Sequence, residues 1–132
     1  MEKKIRFESF MCLFELTNTQ KQRDVLRGLY DIFKLAAKGK DVATTNELQK
    51  AKKLYEEFKK LNRQNDQLLE LDNDFNQYDS QYTKDLHKRN EKQEEKVKKL
   101  AKEMNYKIVY YGPYATLYDI ERDYDITLNF VI

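Results

Sequence analysis

Three groups of side chains in this chain have types and spacings that could do chemistry. The first is Asp72, Asp74 and Asn76, in the stretch LDNDFNQYD, which match positions 1, 3 and 5 of a calcium-binding helix–loop–helix. Such a loop also needs a glycine at its sixth position, for a sharp turn, and a bidentate glutamate at its twelfth. Gln77 and Thr83 stand in those places, so the residues that would close the cage are missing. The carboxylates of Asp72, Asp74 and Asp79 could in principle pair for acid–base work. That requires a shielded cleft to separate their pKa values, and a polar Asp/Asn-rich turn does not provide one.

The second group is His87 with Glu91, four residues apart, and the third is the lone Cys12. One imidazole and one thiol, 75 residues apart, do not make a zinc set. Cys12 lies in the apolar run FMCLF and reads as a small core residue, which leaves a Cys12–His87 nucleophile pair with little behind it. The chain has three glycines and none falls in a G-x-S-x-G, a P-loop or a G-x-G-x-x-G. The expectation is a protein that is not an enzyme and uses no metal or cofactor. A single cysteine forms no internal disulfide, which fits a reducing, cytoplasmic setting.

Two other constellations concern binding. Lys52, Lys53, Lys59, Lys60 and Arg63 make a basic helical face, and Tyr106, Tyr110, Tyr111, Tyr114, Tyr118 and Tyr124 could stack on the bases of a single strand. The tyrosine-rich stretch is itself net acidic, so stacking and phosphate attraction do not coincide. Asp72, Asp74 and Asp79 with Tyr78 and Tyr82 form an acidic, aromatic segment suited to a basic cleft on a protein. Charge is regional: residues 19–63 carry 12 basic and 6 acidic side chains, whereas residues 64–85 carry one lysine and six acids. The net charge of +2 hides this asymmetry.

The elements that must position these groups follow from periodicity. Residues 5–16 fit two periods: Phe7, Phe10, Met11 and Phe14 a helical stripe, Ile5, Phe7, Met11 and Leu13 one face of a strand, with a helix after a short extended start preferred. Thr19 to Lys38 is a helix with a Thr19–Gln22 capping box, an apolar face of Val25, Leu26, Leu29, Ile32, Phe33 and Ala36, and Gly39 as its stop. From Thr44 or Thr45 a heptad seam begins. Leu54, Leu61, Leu68, Phe75 and Tyr82 recur every seven residues, paired with Ala51, Phe58, Asn65, Asp72 and Asp79. Asn65 at such a position can fix register. Asp72 and Asp79 cannot, because an unpaired carboxylate in an apolar seam is expensive. The seam therefore fails at residues 71–79, and the chain is expected to turn back there, with helices at 45–71 and 79–104.

After Asn105 the period changes from 3.6 to 2. Strands are expected at Tyr106–Tyr111, at Tyr114–Ile120 after Gly112-Pro113, and at Tyr124–Ile132. The fold expected is α+β in one domain, residues 1–132: N-terminal helices and a long antiparallel helical hairpin with a C-terminal three-stranded antiparallel sheet. The leader MEKKIRFESFMCLFEL has a basic start and an apolar stretch, but Glu8 and Glu15 interrupt it and no small-residue cleavage site follows, so secretion is not expected. No run of about 18 apolar residues is present to cross a membrane.

Phe, Tyr, Met, Ile, Asn and Lys number 54 against 16 Gly, Ala, Arg and Pro, the mark of an AT-rich genome. The function expected is a non-catalytic protein-binding module. Its size and composition suit a small phage or mobile-element regulator or inhibitor of a host protein, with a nucleic-acid enzyme or defence nuclease among the candidates. Its partner would present a basic surface, and a homo-oligomer through the helical seam is the further expectation. The alternative is a nucleic-acid-binding accessory protein that uses the basic faces and the tyrosines.

Overall fold

The structure, a computed structural model, describes residues 3–12, 20–72, 81–112, 114–126 and 128. It is α+β, with N-terminal helices, a long pair of antiparallel helices and a C-terminal three-stranded antiparallel sheet. The chain divides into two compact units, Met1–Tyr55 with Leu128–Ile132, and Glu56–Thr127.

In the first unit, β1 (Lys4–Arg6) pairs antiparallel with β2 (Val42–Thr44), Ile5 opposite Ala43. The Phe7 amide donates to the Asp41 carbonyl at 2.8 Å, and the Thr45 amide to the Lys3 carbonyl at 3.0 Å, which closes the ladder at both ends. Helix α1 (Phe7–Cys12) follows β1 directly, so the extended start and helix expected of residues 5–16 are present as far as Cys12; residues 13–16 and the Cys12 side chain lie outside the described residues. Helix α2 (Gln20–Ala37) buries Ile32, Phe33, Leu35 and Ala36. The expected cap at Thr19 and Gln22 lies outside the described residues. Lys38 at φ 53° and Gly39 at φ 84° end the helix in the left-handed region, which Gly39 enters at no steric cost.

Phe7 packs edge-on to Tyr30 at 5.7 Å and tilted to Phe33 at 5.3 Å. At Gly28 a Cβ would stand 3.2 Å from the Tyr55 hydroxyl, so a methyl there would have to push the ring. Helix α3 (Thr45–Asp72) starts with a reciprocal capping box. The Thr44 amide donates to Glu47 Oε1 at 3.0 Å, and the Glu47 amide donates to Thr44 Oγ1 at 3.1 Å.

In the second unit the remainder of α3 runs against α4 (Gln81–Glu103). Asn90 Nδ2 donates to Asn65 Oδ1 at 2.9 Å, and Gln93 Nε2 donates to Glu57 Oε2 at 2.7 Å and to the Glu57 carbonyl at 2.8 Å. Lys96 Nζ lies 3.2 Å from Glu57 Oε1. Numbering falls along α3 as it rises along α4, so the pair is antiparallel and the chain reverses between Asp72 and Gln81. Leu61, Leu68, Thr83, Leu86, Val97 and Ala101 are buried. The inward positions of α4 are 83, 86, 90, 93, 97 and 101, stepping by three or four; Asn90 and Gln93 are therefore polar members of the seam. Tyr82, in phase with Leu68 by sevens, is instead exposed, because the reversal resets the phase and Thr83 and Leu86 turn inward.

Helix α4 ends at Glu103, and Asn105, φ 63°, leads directly into β3 (Tyr106–Tyr111). Strands β4 (Tyr114–Asp119) and β5 (Tyr124–Ile126) complete a sheet in the order β3-β4-β5. Gly112, at φ +64°, opens the two-residue connection between the paired Tyr111 and Tyr114, the place where a hairpin turn needs positive φ. Beyond Ile126 the expected third strand lies outside the described residues, Leu128 apart. Tyr106, Ala115, Leu117 and Ile126 face the core.

Replacing Asn90 alone by Leu strands the buried Asn65 amide, whose Nδ2 already lacks a partner. The expected loss is about 1–3 kcal/mol in urea denaturation. The double change Asn65→Leu with Asn90→Leu is expected to recover that loss while broadening the α4 amide resonances as the register loosens. A double variant as unstable as the single one would show that the pair does not set the register.

Candidate functional site

The candidate surface is the end of the hairpin where α3 meets α4. Asp72 closes α3, and its side chain lies outside the described residues, as do Asp74, Tyr78 and Asp79. Tyr82, in the first turn of α4, is 59% exposed, and Leu69 on α3 is 37% exposed. Around them Asp66, Glu70 and Asp85 are exposed. Asp85 accepts a hydrogen bond from Gln81 Nε2 at 3.0 Å. Among the described residues none of these three carboxylates is in an ion pair. No basic residue lies in the last turn of α3, so the acid there stands against the negative end of the helix dipole.

The basic residues all lie on α3. Lys52, Lys53, Lys60 and Arg63 are exposed and Lys59 is half-buried. Lys52 and Lys53 belong to the first unit, and Lys59, Lys60 and Arg63 to the second. Lys60 Nζ is held 3.7 Å from Glu57.

The tyrosines separate by strand alternation. Tyr106 is buried in the core, which removes it as a stacking platform. The Tyr110 hydroxyl bonds to Glu94 on α4, and burial followed by that carboxylate pushes the phenol well above its usual range. The Tyr111 hydroxyl donates to Asp125 Oδ2 at 2.6 Å. Lys107 Nζ lies 4.8 Å above the Tyr118 ring, and the Arg122 guanidinium 4.7 Å from that of Tyr124. Tyr114 is the most exposed of the six, at 62%. Val109, Tyr111, Tyr114, Thr116 and Tyr118 share the outer face of the sheet.

Sequence reasoning missed the node that holds this sheet's last turn. Asp119 is fully buried, and its Oδ1 accepts the Glu121 and Arg122 amides at 3.0 and 3.2 Å. Arg122 Nε donates to Oδ2 at 2.6 Å. Burial raises the Asp119 pKa, but the Arg122 guanidinium and the two amides outweigh it and hold the carboxyl below its usual range. An aspartate three residues before an arginine in a turn was the available signal.

Two open cavities in the first unit, of about 350 and 230 Å³, share Phe7 and Asp41. Their rim mixes Arg6, Lys34 and Lys40 with Glu8 and Asp41 and selects neither sign of charge. Among the described residues no group of three or more His, Cys, Asp or Glu is placed to hold a metal ion. His87 and Glu91 are both exposed on α4. No helix among the described residues is long and apolar enough to cross a membrane.

No protein-family model, curated protein or solved structure matches this chain.

Because the folded Asp119 carboxyl sits below its unfolded value of about 4, its stabilisation is complete above that pH and is lost as pH falls through the folded value. Urea midpoints measured from about pH 7 to about pH 2 are expected to show Asp119→Asn weaker at neutral pH, with the two proteins converging in acid. A constant gap across the range would remove Asp119 as the titrating group.

Proposed function

We propose that this protein is a non-catalytic binding module that engages a partner protein through the α3–α4 end of its hairpin. The observation that carries the reading is the exposure of Tyr82 and Leu69 beside carboxylates without ion-pair partners. Large amphipathic side chains rimmed by one sign of charge make interface anchors, and the rim selects a partner of the opposite sign. A basic protein surface is commonly one that holds nucleic acid. The partner class is therefore a nucleic-acid enzyme, a defence nuclease included, and the role is regulation or inhibition. The AT-rich composition supports an origin in a phage or mobile element.

A second reading, nucleic-acid binding through Lys52, Lys53, Lys59, Lys60 and Arg63, is supported by the exposure of all but the half-buried Lys59. It is weakened by the Lys60–Glu57 pair and by the commitment of most of the tyrosines to contacts within the chain.

The test uses the full chain as bait in extracts of its source cell. The expected result is one protein retained at low salt and released at high salt. Reversal of Asp72, Asp74 and Asp79 to Lys, or Tyr82→Ala with Asp85→Lys, is expected to weaken capture by about tenfold or more with the melting temperature unchanged. Capture untouched by both sets would sink the reading. A gel shift with nucleic acid that falls steeply with salt and disappears in Lys52→Glu, Lys53→Glu, Lys59→Glu would put the second reading in its place.

A further inference from the structure

The outer face of α3 carries charges in a fixed order. Lys59, Arg63, Asp66 and Glu70 are spaced by four, three and four residues, so they lie in one stripe about 16 Å long. Arg63, Asp66 and Glu70 are exposed and Lys59 is half-buried. Within the stripe like charges are neighbours at i, i+4, Lys59 with Arg63 and Asp66 with Glu70, an arrangement that destabilises an isolated helix. The acidic half lies toward the C-terminal end, where the dipole disfavours it. Among the described residues none of the four makes an ion pair. The stripe is thus two positive charges followed by two negative ones; the opposite charges three apart, Glu56 with Lys59 and Arg63 with Asp66, are neighbours on the helix but are not closed into ion pairs.

A sequence of charges that changes sign at its midpoint is complementary to itself when reversed. Two copies of α3 laid antiparallel and centred between Arg63 and Asp66 bring Lys59 opposite Glu70 and Arg63 opposite Asp66, twice over by two-fold symmetry. The lysine and arginine stems add apolar contact along the stripe. The inward seam of Leu61 and Leu68 is already buried within one chain, so self-association by this route leaves the hairpin intact.

We infer that the outer face of α3 is a homodimer interface, with a second copy of this chain as its occupant, held by reciprocal Lys59–Glu70 and Arg63–Asp66 ion pairs. The inference does not rest on the proposed partner, since it uses the helix face rather than the α3–α4 turn. Exposed ion pairs are individually weak and screened by salt, so the dimer is a low-ionic-strength species.

The experiment is sedimentation equilibrium of the full chain at about 0.01 M salt, where the Debye length is about 30 Å, and at about 1 M, where it is about 3 Å. The expected result is dimer at low salt, with the dissociation constant rising by about tenfold or more at high salt. Lys59→Glu with Arg63→Glu makes the stripe wholly acidic, and Asp66→Lys with Glu70→Lys makes it wholly basic. Each variant alone is expected to be monomeric, and an equimolar mixture is expected to restore a dimer. Circular dichroism checks that both are folded. If either is not, the milder Lys59→Gln with Glu70→Gln is expected to weaken dimerisation several-fold. A wild-type monomer at low salt, single-sign variants that dimerise as tightly as wild type, or a mixture that stays monomeric would each overturn the inference.

Discussion

The buried carboxylate of Glu57 is the constraint on which the second unit depends. It lies on α3, 9% exposed, and is held by Gln93 at 2.7 Å, Lys96 at 3.2 Å and Lys60 at 3.7 Å. The Gln93 hydrogen bond, partly opposed by burial and reinforced by Lys96, keeps its pKa below the usual glutamate range, so it is charged near neutrality. Sliding α4 by one turn, about 5.4 Å, would take Gln93 and Lys96 away and leave that carboxylate only the longer contact with Lys60 on its own helix. Losing the Gln93 hydrogen bond to that carboxylate costs about 1.5–3 kcal/mol, and the half-exposed Lys96 adds little to it. Asn65 and Asn90 repeat the constraint two turns along α3. Apolar residues of the seam supply burial, and its polar residues choose one alignment among several.

From that alignment the rest of the unit follows by short covalent steps. Because α4 is fixed lengthwise, its last turn delivers Asn105 to one place. Asn105 leaves the helix through the left-handed region, its carbonyl accepts the Ile120 amide at 3.2 Å, and its side-chain amide reaches Glu121 at 3.0 Å. One residue thus ends the helix and anchors the far end of β4. Asp119 then ties the β4–β5 turn to Arg122, whose guanidinium rests on Tyr124. Tyr106, next to Asn105, enters the core, and Tyr110 on the same strand face returns to Glu94 on α4. Helix and sheet are joined at both ends of β3.

Much of this was legible in the sequence because periodicity is a local signal. The two helices of the hairpin, the failure of the heptad at Asp72, the left-handed stop at Gly39 and the strands up to Asp119 were readable from spacing and turn chemistry. The three-residue β2 was not, since three residues cannot display a period; only the β-branched Val42 and Thr44 between a helix stop and a helix cap hinted at it. Glu57 was not legible either. On a helix with several neighbouring lysines it looks like one more solvated acid, and its burial depends on Gln93, 36 residues away. Asn90 and Gln93 showed only as a gap in the apolar pattern of α4, although the gap falls on the three-four spacing. Of the candidate site, the acidity was visible as composition. The exposure of Tyr82 and the burial of Tyr106 were not, because those depend on where the reversal resets the phase and which sheet face meets α4.

The division of labour on α3 explains why its outward charges need not favour the helix. A long isolated helix with acid at its negative end and like charges four apart would be a poor helix. Here its stability comes from tertiary burial of Leu61 and Leu68 and from the capping box at Thr44 and Glu47, not from its outward side chains. The outward positions are therefore released from supporting the fold, and charges can stand there in an order that disfavours the helix slightly.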